Sequence, residues 1–233
     1  MSQIQSLNIP VRNPDFDALA AKIRERLFVA VLSDMLDSVG HRNQAFPPHI
    51  RFLDDELMLV GRARTAIYRD VYHVEPGRNP YELEIALVDD LKWGEVPVLA
   101  CGSSGRIAPW GGLLTAACIA RGAAGCVTDG CVRDVKAIRQ ARFPVFHGGI
   151  APLDSKGRGE VAAIDIPVEC AGVSIKPGDL MVGDADGIVA IPSEIEAQVL
   201  AKAFDRIAGE NETQAALERG EKLGDVFRRL GVL

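Results

Sequence analysis

The fold is decided by Gly125-Cys126-Val127-Thr128-Asp129-Gly130-Cys131-Val132-Arg133-Asp134, where an apolar segment passes through a turn to a pair of opposite charges. Residues 124–128 are typical of a buried strand, and an Asp-Gly pair is typical of a turn that follows one. Arg133 can hold a carboxylate through two parallel hydrogen bonds, and Asp134 can hold a hard divalent cation. The stretch therefore predicts a buried strand that leads to a site for a small oxo acid and a metal ion.

Strands and helices alternate around this stretch. Residues 96–101 predict a short buried strand, and 112–120 predict a helix of small residues that ends at Gly122. After the charged pair, residues 134–141 predict a helix and 144–147 a strand. This β-α-β-α-β order predicts an α/β core with partly parallel pairing, in which ligands bind beyond the carboxyl ends of the strands.

The N-terminal part is predicted to be mainly helical. Residues 14–39 carry apolar side chains at helical spacing, and 57–67 are strand-like, with Gly61 as a candidate bulge. A helix is predicted over residues 80–91, with Asn79 as its N-cap and Glu82 completing a capping box.

The C-terminal part first alternates short strands with turns. The strands are predicted at residues 161–167, 168–175, 179–183 and 187–192. Ser193 and Glu196 predict a capped helix that runs to about Ala208, and residues 212–219 predict a second one. Because no linker interrupts the chain, we expect one domain over residues 1–233, with a helical tail from about residue 193.

Composition excludes several classes of function. The chain has 233 residues, of which 48% are hydrophobic and 25% charged, and its net charge is −6 with no Lys/Arg run. This balance argues against nucleic acid as a partner, and no apolar stretch is long enough to predict a membrane span. Residues 1–5 lack signal-peptide features, and the five cysteines form no C-x-x-C pair, so we expect a reduced, cytoplasmic protein.

Local sequence leaves alternatives open at each candidate position. Arg133-Asp134 is equally typical of an ordinary helix start, where the carboxylate complements the helix dipole. Gly111-Gly112 either permits a tight turn or exposes helix N–H groups to an anion. Asp129 is interpreted as a turn residue, and Cys131 remains a minor candidate for a catalytic thiol.

Three segments together resemble the 4-hydroxy-4-methyl-2-oxoglutarate aldolase family, which also contains the regulator of ribonuclease E activity. They are Trp110-Gly111-Gly112-Leu113-Leu114, Ala120-Arg121-Gly122 and the stretch from Gly125 to Asp134. The resemblance covers roughly residues 25–230, and Arg-Asp after the strand is its most specific element. It implies a layered β/β/α fold like the swivelling phosphohistidine domain, and a homotrimer or homohexamer with sites at subunit boundaries.

The resemblance also implies roles for individual residues. The backbone amides of Gly111, Gly112, Leu113 and Leu114 would bind a 2-oxo acid, together with Arg133. Asp134 would bind Mg²⁺ or Mn²⁺. A neighbouring subunit would lend an acidic residue, for which the candidates here are Glu210 and Glu212.

One position departs from the family pattern. Family aldolases usually carry an acidic residue where this chain has Gly112, and that carboxylate is expected to organise water at the metal. The leading hypothesis is therefore a metal-dependent carbon–carbon lyase that performs retro-aldol cleavage, oxaloacetate-type decarboxylation or both. The alternative is a non-catalytic regulator that binds a ribonuclease.

Overall fold

The computed structural model describes residues 10–231, which form seven α-helices and twelve β-strands. The helices are α1 (Pro14–Arg26), α2 (Val29–Ser38), α3 (Glu82–Asp89), α4 (Gly112–Ala120), α5 (Val135–Gln140), α6 (Glu196–Glu218) and α7 (Leu223–Leu230). The strands are β1 (Arg51–Phe52), β2 (Leu59–Asp70), β3 (Glu95–Ala100), β4 (Cys126–Thr128), β5 (Cys131–Val132), β6 (Val145–His147), β7 (Gly149–Ile150), β8 (Gly159–Ile164), β9 (Val168–Cys170), β10 (Val173–Ile175), β11 (Leu180–Asp184) and β12 (Gly187–Ile191).

Eight strands form one mixed sheet. Its order is β1-β6-β4-β3-β2-β11-β12, and β8 also pairs with the far end of the long strand β2. The pairs β2–β3, β3–β4 and β4–β6 are parallel, which confirms the predicted parallel pairing around the stretch from Gly125 to Asp134. The remaining strands of the described chain form a β9–β10 hairpin and a short parallel pair, β5–β7.

The sheet is nearly closed, like a barrel. Residues 44–46 pair with β12 at one end: Phe46 N–H donates to Ile188 O at 3.0 Å, and Ala190 N–H to Gln44 O at 2.9 Å. A few residues later the same segment enters β1, which pairs with β6 at the other end of the sheet. Residues 44–52 therefore pair with β12 near one end of the sheet and with β6 near the other, which links the two ends.

Successive residues of the central strands face different cores. Leu99, Cys126 and Val145 pack with the helices α3, α4 and α5 on one side. Val98 and Val127 point the other way and pack with the β9–β10 hairpin. The structure therefore confirms a mixed α/β fold with C-terminal helices. The closer likeness to the swivelling phosphohistidine domain, and the single domain over residues 1–233, stay predictions.

The predicted helix over residues 14–39 is divided in two. α1 ends at Arg26, the N–H of the following Leu27 donates to Ile23 O, and Phe28 is extended. The new helix begins at Val29, whose N–H donates to the Asp184 carboxylate at 2.8 Å. A partner 155 residues away thus sets a break that the local apolar spacing does not reveal.

The other N-terminal corrections have local causes. α3 begins at Glu82 because Asn79 forms a turn with Tyr81 N–H, at 3.0 Å, and does not cap the helix. The irregular register of β2 lies between Ile67 and Tyr68, so the prediction of a bulge at Gly61 was wrong. Gly61 serves close packing, since a Cβ there would lie 2.5 Å from Val96.

The C-terminal capping prediction was also wrong. The Asp179 carboxylate accepts Ser193 N–H, and the carboxylate of Glu196 pairs with Arg62, with 2.8 Å between Arg62 Nη2 and Glu196 Oε1. The two predicted helices are one helix, α6, whose buried face continues through Ile207 and Thr213. No helix within residues 10–231 is long and apolar enough to cross a membrane.

Candidate functional site

The two segments singled out in the sequence meet at one edge of the sheet. Trp110 forms a parallel bridge with Val132, and Arg133 N–H donates to Trp110 O at 2.9 Å. Trp110 is buried, and its indole N–H donates to Thr115 Oγ1 at 2.9 Å. The start of α4 is therefore fixed beside the charged pair, as the order of strands and helices predicted.

Asp134 directs its carboxylate toward the neighbouring helix. It is the N-cap of α5, but its side chain makes no capping hydrogen bond there. Its Oδ2 instead accepts Gly112 N–H at 3.0 Å, at the N-terminus of α4. The backbone of Asp134 has a φ of 57°, a left-handed conformation that Asp tolerates better than most residues. An ordinary helix start explains the position of Asp134 but not the direction of its side chain.

Gly111 and Gly112, at the start of α4, differ in the space that the structure leaves for a side chain. A Cβ on Gly111 would lie 2.8 Å from Asp134 Oδ2 and 3.1 Å from Arg133 Cγ, so this backbone approaches the pair too closely for a side chain. A Cβ on Gly112 would lie 3.4 Å from Asp134 Cβ, which is close to ordinary contact. A side chain at 111 would therefore displace the charged pair, whereas the structure leaves room for a side chain at 112.

A cleft of about 320 Å³ opens over this edge. Its walls come from α3, from the first turn of α4, from the charged pair and from residues 154–155. The polar and charged side chains that line it are Tyr81, Glu84, Arg133, Asp134, Asp154 and Ser155. Among residues 10–231, the N–H groups of Leu113 and Leu114 have no hydrogen-bond partner, as is usual in a first helical turn.

Arg133 is held against one wall of the cleft. Its Nη1 donates to Leu153 O at 3.4 Å and lies 3.8 Å from Asp154 Oδ2, which also accepts the Tyr81 hydroxyl at 3.0 Å. Burial opposes ionisation of Asp154, but hydrogen bonds from Tyr81 and the backbone, with the charge of Arg133, lower its pKa. The guanidinium is thus oriented, and within residues 10–231 its other N–H groups have no hydrogen-bond partner.

Glu84 belongs to the α3 wall of the cleft. Its Oε2 accepts the hydroxyl of the buried Tyr68 at 2.6 Å. Burial raises the pKa of Glu84, and the Asp154 charge adds to that rise against the opposing effects of Tyr68 and Arg133. Glu84 and Asp154 were not identified from the sequence. Glu84 lies three residues after Tyr81, a helical spacing that places both on one side of the start of α3, but no sequence signal assigns them to the cleft.

Three other candidates lie outside the cleft. Glu210 and Glu212 are on α6, and Glu210 pairs with Arg206 at 2.8 Å. Their assignment to a neighbouring subunit stays a prediction. Cys131 does not line the cleft either, and burial raises the pKa of its thiol, which disfavours the reactive thiolate.

Asp129 is a structural anchor behind the site. It is only 4% exposed, and its carboxylate accepts three backbone N–H groups: those of Cys101 at 2.5 Å, Ser103 at 2.9 Å and Ala171 at 3.2 Å. These groups belong to separate segments, so one carboxylate joins the loop after β3 to the β9–β10 turn.

Asp129→Ala is expected to lower the free energy of unfolding by roughly 3 kcal/mol, because three backbone N–H groups lose their carboxylate acceptor. Urea unfolding followed by circular dichroism measures the change. Asp186→Ala, at an exposed aspartate in the β11–β12 turn, is the control and is expected to stay within about 0.5 kcal/mol of the parent protein. Equal stability of the two variants would contradict the anchoring role.

The residues present fit a hard divalent ion. Among residues 10–231, Asp134 Oδ1 has no partner, and no group of three or more His, Cys, Asp or Glu side chains is assembled to hold a metal. Magnesium usually keeps several water ligands and needs only one or two carboxylates. An exposed carboxylate beside a substrate-sized cleft suits that mode of binding.

Comparisons with known proteins identify one family. Residues 29–190 match the RraA-like family model, described as Aldolase/RraA. A "Putative 4-hydroxy-4-methyl-2-oxoglutarate aldolase" of Halalkalibacterium halodurans is 32% identical over 195 residues, which are 80% of this chain and 82% of that protein.

Two solved structures are similar along most of their length. A crystal structure of a protein from Pseudomonas syringae pv. tomato DC3000 has a TM-score of 0.78 at 27% identity, covering 93% of this chain and 98% of the other. Streptomyces coelicolor RraAS2, described as an unusual member of the RNase ES inhibitor RraA protein family, has a TM-score of 0.75 at 26% identity, covering 88% and 99%.

Proposed function

This chain belongs to the RraA-like family, and we propose that it is a divalent-metal-dependent carbon–carbon lyase that releases pyruvate from a 2-oxo acid. The observation that carries the proposal is the meeting of Arg133, Asp134 and the start of α4 at one cleft. The reaction is retro-aldol cleavage of a 4-hydroxy-2-oxo acid, decarboxylation of an oxaloacetate-type acid, or both. We further propose a cytoplasmic homotrimer or homohexamer.

The chain's own groups account for substrate binding. Arg133 is the basic side chain of the cleft, and its fork of N–H groups suits the substrate carboxylate. The N–H groups of Leu113 and Leu114 lie at the positive end of the α4 dipole and can donate hydrogen bonds to a second substrate oxygen. The buried Trp110 fixes this first turn, so the two binding elements keep their spacing.

Asp134 is the residue that would hold Mg²⁺ or Mn²⁺. When bound, the ion supplies Lewis-acid stabilisation of the negative charge that develops on the 2-oxo group during C–C cleavage. Arg133 adds a fixed positive charge at the same place. Such groups act more strongly in a partly enclosed cleft than in water, because they need no reorganisation as the charge forms.

The two reactions differ in their need for a base. Retro-aldol cleavage must remove the proton of the substrate's C4 hydroxyl, whereas decarboxylation leads to the same enolate without that step. This chain has glycine at position 112, where a carboxylate is usual in family aldolases. Gly112 therefore shifts the balance toward decarboxylation.

Gly112→Asp is expected to raise retro-aldol turnover by about tenfold or more relative to decarboxylation, because it supplies a carboxylate beside Asp134. The structure has room for it, and an acidic residue suits the first turn of a helix. The ratio of the two rates, measured by pyruvate release from each substrate, reports the change. Gly112→Asn is the uncharged control, and an unchanged ratio in Gly112→Asp would refute this role for the position.

The proposed function is tested by pyruvate release from 4-hydroxy-4-methyl-2-oxoglutarate and from oxaloacetate, with and without Mg²⁺. Metal-stimulated release supports the lyase. The similarity to RraAS2 favours one alternative, a regulator that binds a ribonuclease. No turnover of either substrate, combined with tight binding to a ribonuclease, would decide for that alternative.

A further inference from the structure

The carboxyl group of Glu84 lines the cleft but has no role in the substrate and metal binding proposed above. Glu84 lies on α3, across from the start of α4, and lines the same cleft as Arg133 and Asp134. It is half-buried, and Tyr68 fixes it from beneath through the 2.6 Å hydrogen bond to Oε2. Within residues 10–231, Oε1 has no hydrogen-bond partner, so the free oxygen is the one left for the cleft.

The surroundings of Glu84 raise its pKa. The charged and titratable groups around it are Tyr68 on β2, Tyr81 at the N-cap of α3, Cys101 after β3, Arg133 after β5, and Asp154 in the loop before β8. Burial is the largest effect and raises the pKa of Glu84, as does Asp154, while Tyr68 and Arg133 act in the opposite direction. Together these effects keep the pKa of Glu84 above its ordinary value.

The proposed reaction requires a proton donor. Cleavage of the C–C bond leaves an enolate, and its carbon 3 must gain a proton to become the methyl group of pyruvate. Arg133 does not give up a proton in proteins. Tyr81 has a pKa raised to about 12 by burial and by its bond to Asp154, and it already donates to that residue, whose own pKa is lowered.

We propose that Glu84 is the residue that protonates carbon 3 of the enolate. The proton passes from Glu84 Oε1 to carbon 3, forming the C–H bond of pyruvate and leaving a carboxylate that regains a proton from water. Tyr68 is the positioning residue, because its hydrogen bond holds Oε2 and, among residues 10–231, leaves Oε1 without a partner. This inference rests on the proposed lyase function and adds the donor that completes it.

Glu84→Gln tests the proposal, since glutamine keeps an acceptor for Tyr68 and lacks the acidic proton. We expect kcat for pyruvate release to fall about a hundredfold with KM nearly unchanged. We also expect the exchange of pyruvate methyl protons with D₂O, followed by NMR in the presence of Mg²⁺, to fall by the same factor. Glu82→Gln, at an exposed glutamate on the same helix, is the matched control and should leave both rates unchanged.

The outcomes separate this inference from the proposed function. If the parent protein neither releases pyruvate nor exchanges its methyl protons, the lyase proposal fails. If the parent does both and Glu84→Gln stays within about threefold of it, the role of Glu84 is overturned. Should Glu84→Gln not fold, Glu84→Asp withdraws the carboxyl by one methylene: an approximately tenfold loss of exchange supports the role, and undiminished exchange overturns it.

Discussion

Asp134→Asn is expected to lose metal-stimulated pyruvate release, with kcat/KM reduced about a thousandfold. The amide oxygen of asparagine can still accept Gly112 N–H, and asparagine tolerates the left-handed backbone at this position. The variant therefore removes the charge that would hold Mg²⁺ or Mn²⁺ while keeping the start of α4 in place. Losing Lewis-acid stabilisation of roughly 4 kcal/mol corresponds to a factor of this size.

Manganese provides the second readout for Asp134. Titration with Mn²⁺, followed by electron paramagnetic resonance, is expected to show weaker binding in Asp134→Asn than in the parent protein. Asp186→Asn, at the exposed β11–β12 turn, is the matched control and should bind and react like the parent. Unchanged activity and unchanged Mn²⁺ affinity in Asp134→Asn would count decisively against a metal site here.

Arg133→Met is expected to reduce kcat/KM by about a thousandfold as well. The side chain supplies the fork for the substrate carboxylate, and truncating one partner of a hydrogen-bonded charge pair costs roughly 2–5 kcal/mol. Arg133→Lys keeps the charge but not the planar pair of donors, so we expect an intermediate loss of about a hundredfold. Initial rates over a range of substrate concentrations separate the effects on KM and kcat.

The control for Arg133 is Arg106→Met, which changes an exposed arginine that pairs with Asp70 at 2.8 Å. Its kinetic constants are expected to match those of the parent protein. If Arg133→Met behaved in the same way, the substrate carboxylate would have to bind elsewhere in the cleft. Thermal unfolding of each variant shows that a loss of rate does not reflect a loss of folded protein.

Local signals were enough to predict the elements closest to the site. The helix predicted over residues 112–120 matches α4 at both ends, because the glycines on either side are signals within the segment itself. The break between α1 and α2 could not be read in this way. It depends on the Asp184 carboxylate, which only the folded chain brings to Val29 N–H.

The residues of the cleft divide in the same way into those that local sequence predicts and those that depend on distant contacts. Gly111, Arg133 and Asp134 could be found from the sequence because each lies in a short motif beside a predicted strand or helix. Glu84 and Asp154 could not, since neither motif includes them and their position depends on the packing of α3 and of the loop before β8 against the sheet. The role of Glu84 depends further on Tyr68, which is buried on a distant strand.

The near closure of the sheet restricts how two copies of this chain can associate. An open strand edge is a template on which a second chain adds its own backbone. Here the segment that pairs with β12 and then forms β1 occupies both ends, so self-assembly by strand exchange is disfavoured. Side chains remain available for contacts between copies, and among residues 10–231 the exposed Leu113 of α4 lines the cleft. A neighbouring copy bound there would cover the reacting groups.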